Sequence, residues 1–117
     1  MTRVERRTAA RVPARLAMEI TLGGGSARTE SLNVSANGVY FASMSFIAPL
    51  TRLRITLELP EDGGDPSRVT CDGVVVRTEP EEETAGERDY QVACYFTDIS
   101  DRDRERLESY ILRHVPF

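Results

Sequence analysis

The sequence predicts an all-β domain with a C-terminal helix, arranged as a six-stranded antiparallel β-barrel. Apolar and polar residues alternate along several segments between residues 12 and 97, with the period of a strand that has one buried face. Segments rich in Gly, Pro, Asn and Asp separate these strands, and the end of the chain changes to helical spacing. A closed barrel suits this pattern, because closure pairs the strand edges and a lone helix covers an opening.

The first three strands are predicted between residues 12 and 43. Apolar residues fall on even positions from Val12 to Leu22, which indicates one half-buried strand. The glycine-rich segment 23–26 is interpreted as a turn, 28–34 as the returning strand and 38–43 as the third strand.

The clearest alternation in the sequence follows Pro49. Four aliphatic side chains at every second position are expected to face the core: Leu53, Ile55, Leu57 and Leu59. Two more strands are predicted at 68–77 and 90–97, with the acidic segment 79–89 as a solvated loop between them.

One helix is predicted at about 100–115. Ser100 followed by Asp103 resembles a capping box, and residues at helical spacing form one apolar stripe: Leu107, Tyr110, Ile111, His114 and Val115. His114 is the only histidine, and its place on this stripe near the helix end favours packing or capping over a ligand or base role.

Composition indicates a single cytoplasmic domain without membrane insertion. The 117 residues are 40% hydrophobic and 29% charged, which is ordinary for a globular protein. No apolar run approaches the roughly 20 residues of a membrane span, and the N-terminus lacks the apolar core of a secretory signal. Cys71 and Cys94 are interpreted as buried reduced thiols, although neighbouring strands would also allow an oxidised pair.

Charge is distributed unevenly along the chain. The first 15 residues hold five arginines and one glutamate, whereas the rest is acidic and brings the net charge to −4. A domain this acidic is a poor nucleic-acid binder, because binding the DNA backbone requires a broad basic surface. The positive charge is local, so we expect a small or locally acidic partner.

The sequence offers no physical basis for catalysis, and we expect neither an enzyme nor a cofactor. A second histidine and a CxxC motif are lacking, which argues against a zinc or iron site. Ser35 has no histidine to activate it, and the chain contains neither a Walker loop nor a GxGxxG motif.

Two short motifs remain. The first is RxxxR at Arg7 and Arg11, just before the first predicted strand, and the second is NxSxxG, formed by Asn33, Ser35 and Gly38. From the residues alone, the arginines would be a solvated tail. The segment NVSANG would be a turn in which Asn and Ser side chains bond the backbone and Asn37-Gly38 permits positive φ.

In this order, the two motifs closely resemble those of the PilZ domain family. The likeness extends from Glu5 to about His114 and includes CDGVVVRTEP and DYQVACYFTDISDRDRERLESYI. RxxxR occurs three times in the leader, and its spacing to the second motif, with the doubled Arg6-Arg7, favours Arg7 and Arg11.

The resemblance implies binding of cyclic di-GMP, which carries two phosphodiester charges and two guanines. Arg7 and Arg11 would lie across the ligand, since a guanidinium can clamp phosphate, stack on a base or bond guanine O6 and N7. Asn33 would meet a guanine edge, and Ser35 with the turn at Gly38 would meet phosphate or base. In this family an arginine directly before the motif accompanies a stacked pair of ligand molecules. Arg6 occupies that position, so the resemblance implies two ligands per chain.

Two positions depart from the pattern of many family members. Asn33 stands where aspartate is common, and an amide offers guanine one acceptor oxygen instead of two. Asn37 stands where glycine is frequent, but asparagine tolerates left-handed conformations. We expect binding to survive both departures.

The predicted function is that of a cyclic di-GMP receptor or adaptor. Residues 1–11 would form a flexible arginine-rich segment and 12–117 the PilZ-type barrel with its helix. Ligand would pin the segment against the turn, and an effector protein would recognise the new surface, because no output domain is evident. The alternative is a PilZ-like protein-interaction adaptor that does not bind nucleotide.

Overall fold

The computed structural model describes residues 11–61 and 63–114 of the chain. Seven strands and one helix follow one another in these residues: β1 Arg11–Pro13, β2 Ala17–Leu22, β3 Gly25–Ser35, β4 Gly38–Ser43, β5 Arg52–Leu59, β6 Ser67–Glu79, β7 Tyr90–Ile99 and α1 Asp101–His114. The predicted class, all-β with a C-terminal helix, is confirmed.

Six of the strands close into an antiparallel barrel. The order β3-β2-β5-β6-β7-β4 returns to β3, because β3 pairs with both β2 and β4. The short β1 is an additional strand that pairs with the last residues of β3 beyond the point where β2 begins. The predicted six-stranded barrel is therefore confirmed, with one extra strand beside it.

The alternation of the sequence places the core inside the barrel. In β5, Leu53, Ile55, Leu57 and Leu59 are buried while the residues between them are exposed or half-buried, as predicted. The same holds for β7, where Val92, Cys94 and Phe96 point inward. Burial of these apolar surfaces is the main stabilising contribution to the fold.

The first predicted strand, Val12 to Leu22, is wrong as a single element. It is divided at residues 14–16, where Leu16 donates its N–H to Ser31 Oγ at 2.9 Å and the Ser31 hydroxyl donates to the carbonyl of Ala14. This buried hydroxyl satisfies backbone groups that would otherwise lack a strand partner. Period-two spacing alone does not reveal such a break.

The helix packs against β1, β3 and β6 through Leu107, Tyr110 and Ile111, all of which are buried. Ser100 caps it by accepting the Asp103 N–H at 3.1 Å. The predicted capping box is only half formed, because the Asp103 carboxylate accepts the N–H of Thr70 at 3.1 Å instead.

The C-terminal end of the helix supports the packing and capping role predicted for His114. Its Nδ1 lies 2.8 Å from the carbonyl oxygen of Tyr110, and its ring stacks on the Tyr110 ring with centroids 4.1 Å apart. Val115, the last residue of the predicted stripe, lies outside the described residues.

Candidate functional site

Arg11 and Asn33 meet on the outer surface of the barrel. Arg11 is paired with Ser35 and Pro13 with Asn33, so β1 lies antiparallel along the end of β3. Val12 and Val34, the intervening residues, are buried, which directs Arg11 and Asn33 outward. The Arg11 Nη1 donates a hydrogen bond to Asn33 Oδ1 at 2.6 Å.

This contact joins the two sequence motifs. The last arginine of RxxxR and the first residue of NxSxxG are 22 positions apart in the chain, yet their side chains are bonded. Within residues 11–61 and 63–114, no carboxylate forms an ion pair with Arg11, whose side chain is exposed. Among these residues, therefore, no carboxylate neutralises the charge that Arg11 presents at the surface.

The turn after β3 is held from within by Ser35. This residue is only 2% exposed, and its Oγ accepts the N–H of Asn37 at 3.2 Å and lies 3.5 Å from the carbonyl oxygen of Gly38. The carbonyl of Asn37 also accepts the N–H of Phe96 at 2.8 Å, which ties the turn to β7. The turn is thus fixed by side-chain and strand contacts, and its backbone is preorganised.

Gly38 is required for a different reason from the one predicted. Neither Asn37 nor Gly38 adopts a positive φ, so the expectation of a left-handed Asn-Gly turn is wrong. Instead, a Cβ at position 38 would overlap the carbonyl oxygen of Cys94 on β7. Glycine lets the backbones of β4 and β7 approach closely beside the site.

Four of the six predicted site residues therefore come together: Arg11, Asn33, Ser35 and Gly38. Arg6 and Arg7 lie outside the described residues, so their predicted roles stay predictions. Arg11, assigned from sequence to the flexible segment 1–11, is the first residue of β1.

One neighbour of the site was missed from the sequence. Tyr95 on β7 is the direct strand partner of Gly38, and 53% of its surface is exposed. The alternation of Val92, Cys94 and Phe96 already indicated that Tyr95 points outward. The order of the strands, which the sequence does not provide, was needed to place it beside the turn.

Both cysteines are buried thiols in the described structure. Cys71 and Cys94 are free and buried, and burial raises the pKa of each thiol to about 12, which keeps both protonated at neutral pH. The described part of the chain contains no cluster of His, Cys, Asp and Glu suited to a metal ion. In the same residues, no helix has the length and apolar character that crossing a membrane requires.

Comparisons with known proteins identify one family whose model covers most of the chain. The family model described as PilZ domain matches residues 5–113. No match was found among curated proteins.

Solved structures share the fold. Bacillus subtilis inhibitor of motility (MotI/DgrA) is 26% identical, with a TM-score of 0.76 over 97% of this chain and 52% of that one. MrkH of K. pneumonia in its apo state is 21% identical, with a TM-score of 0.72 over 97% and 52%.

A third structure is the PilZ domain of Escherichia coli YcgR with c-di-GMP, at 14% identity and a TM-score of 0.59 over 93% of this chain and 91% of that one. At their low identities, MrkH and YcgR show the shared fold alone. The chain spans about half the length of MotI/DgrA and of MrkH.

Proposed function

The chain belongs to the PilZ domain family, and on this premise we propose that it binds cyclic di-GMP and signals through a partner protein. The family is one of non-catalytic cyclic di-GMP receptor domains. The observation that carries the proposal for this chain is the hydrogen bond between Arg11 and Asn33, beside the turn that Ser35 holds.

The charges and hydrogen-bonding groups of this surface match the ligand. Arg11 supplies an exposed guanidinium that can clamp a phosphodiester or bond guanine O6 and N7. The Asn33 amide offers an acceptor for the guanine N–H groups and donors for its other edge. Because Asn33 is neutral, its bond to Arg11 is weaker than an ion pair and easier for the ligand to replace.

Ser35 and Gly38 contribute through the turn. The Ser35 hydroxyl lies inside the turn, which favours a positioning role for it. Gly38 is buried and lets β4 lie close to β7, since a Cβ there would overlap the carbonyl oxygen of Cys94. This close packing holds the backbone of the turn in one position beside Arg11 and Asn33.

The signal in this proposal is a rearrangement of the N-terminal segment. Arg11 begins β1, so Arg7, four residues earlier, would be drawn toward the same ligand. Arg6 would contact a second stacked molecule, which gives two ligands per chain. A partner protein would then recognise the altered surface.

Calorimetric titration with cyclic di-GMP tests the proposal, with cyclic di-AMP as the ligand control. Arg11→Ala and Arg7→Ala each remove charge-assisted contacts, and we expect each to weaken binding by about 10- to 100-fold. Arg15→Ala is the matched control, because Arg15 is exposed and pairs with Glu30 at 3.5 Å away from the turn. It should bind like the unaltered chain.

Two results would contradict the binding site and a third would contradict the ligand stoichiometry. No binding to the unaltered chain would favour the adaptor that works without nucleotide. Equal losses in the Arg11 and Arg15 variants would show a nonspecific charge effect. A plateau at one ligand per chain would overturn the role of Arg6 alone.

A further inference from the structure

Among the residues that the structure describes, Tyr95 is the tyrosine without a side-chain hydrogen bond or a ring contact, unlike the other three. Tyr40 donates its hydroxyl hydrogen to Gln91 at 2.9 Å, Tyr90 is 1% exposed and Tyr110 packs on His114. Tyr95, in contrast, is 53% exposed, and its hydroxyl has no hydrogen-bond partner among the described residues. An exposed aromatic ring on a rigid strand is typical of a binding surface.

The strand register places this ring next to the site. Tyr95 is paired with Gly38 on one side and with the half-buried Val74 on the other. Since Gly38 has no side chain, it does not cover the edge of the Tyr95 ring that faces the turn. Asn33 is in register with Tyr40 and, two strands away, with Ala93. Tyr95 lies two residues further along β7, so its Cα is about 12 Å from that of Asn33.

The two regions are chemically complementary toward a dinucleotide. Arg11 and Asn33 offer charge and hydrogen bonds at one side of the turn, whereas Tyr95 offers an apolar face at the other. A ligand with two purine bases joined by a charged ring has both kinds of group. Base stacking on an aromatic side chain is tolerant of sequence and contributes substantially to affinity.

We propose that Tyr95 is a ligand-contacting residue that stacks on one guanine base of the dinucleotide held by Arg11 and Asn33. This inference rests on the proposed function. It divides the site into a polar half on β1 and β3 and an aromatic half on β7.

Substitutions at position 95 distinguish the contribution of the aromatic ring to binding from its contribution to the β7 strand. Tyr95→Val keeps a residue that favours strands but removes the aromatic face, and we expect its affinity for cyclic di-GMP to fall about tenfold. Tyr95→Phe keeps the ring and should bind as the unaltered chain does. Met44→Ala is the control for loss of an exposed apolar side chain, because Met44 is 69% exposed and follows the other end of β4.

A second measurement reports the contact directly. The chain contains no tryptophan, so Tyr95→Trp introduces a single fluorophore at this position. Stacking of guanine should quench its emission, with a midpoint equal to that of the calorimetric titration.

The outcomes distinguish this inference from the proposed function. If the unaltered chain binds, Arg11→Ala loses binding and Tyr95→Val binds normally without quenching in Tyr95→Trp, the inference is overturned and the receptor function stands. If the unaltered chain does not bind cyclic di-GMP, both are overturned. Weakened binding in Tyr95→Val, retained in Tyr95→Phe and Met44→Ala, supports the stacking contact.

Discussion

The turns at the two ends of β3 each place two residues between strands, and glycine serves a different purpose in each. Between β2 and β3, Gly23 and Gly24 adopt φ of 58° and 87°, and a Cβ at either would meet nothing within 4 Å. Between β3 and β4, Gly38 has no positive φ, but a Cβ would overlap the β7 backbone. The first turn needs conformational freedom, whereas the second needs space.

The difference extends to what holds each turn in place. The Gly23 turn is exposed and is set by its own backbone dihedral angles, as expected for a two-residue hairpin. The turn at Gly38 is fixed by the Ser35 hydroxyl and by the bond from Phe96 to Asn37. A turn bound to three strands is a rigid surface, which is what a small ligand requires.

The largest effect should come from Gly38→Ala. The new methyl group must separate β4 from β7, so we expect a loss of about 3 kcal/mol in the free energy of unfolding, together with weaker ligand binding. Chemical denaturation measures the first and calorimetry the second. A stability close to that of the unaltered chain would mean that the two strands do not approach as closely as the structure shows.

Ser35→Ala should have an intermediate effect. Loss of the hydroxyl leaves the Asn37 N–H without its partner, which costs about 1–2 kcal/mol in unfolding free energy and reduces affinity for cyclic di-GMP. Thr78→Val is the matched control, since Thr78 is buried and donates its hydroxyl hydrogen to Ile47 at 2.6 Å at the other end of the barrel. It should lose similar stability with unchanged affinity, and equal affinity losses in both variants would argue against a local role of Ser35.

The smallest effects should be found at the Gly23 turn. Gly24→Ala places a side chain at positive φ without a steric overlap, so we expect a cost of about 1 kcal/mol. Gly23→Asn should be nearly neutral, because asparagine tolerates φ near 58°. Thermal unfolding measures both, and neither should change ligand affinity. A larger loss for Gly24→Ala than for Gly38→Ala would reverse the comparison.

The barrel could be predicted from the sequence because apolar and polar residues alternate regularly along its strands. Leu53 to Leu59 and Val92 to Phe96 show the period of two along their whole length, and each faces the core as expected. The strand 38–43 was predicted with its observed ends, since the turn residues before it are distinctive. In these strands the local pattern was sufficient, because one face is buried and the other is more exposed.

The main details that were wrong depend on contacts distant in sequence. The break at residues 14–16 is held by Ser31, and Asp103 turns away from Ser100 to bond Thr70 on β6. The role of Gly38 depends on Cys94, which is far along the chain. Motif spacing predicted Arg11, Asn33, Ser35 and Gly38 as site residues, and the strand order shows how they come to lie near one another.

The most direct test is a titration of the isotope-labelled chain with cyclic di-GMP, followed residue by residue in nitrogen–proton correlation spectra. If the turn at Gly38 is the binding surface, the Asn33 side-chain amide and the backbone amides of Asn37 and Gly38 should shift and saturate together. The amides of Gly23 and Gly24 should stay in place. Shifts at the Gly23 turn with none at Asn33, Asn37 and Gly38 would place the ligand elsewhere and contradict the proposed site.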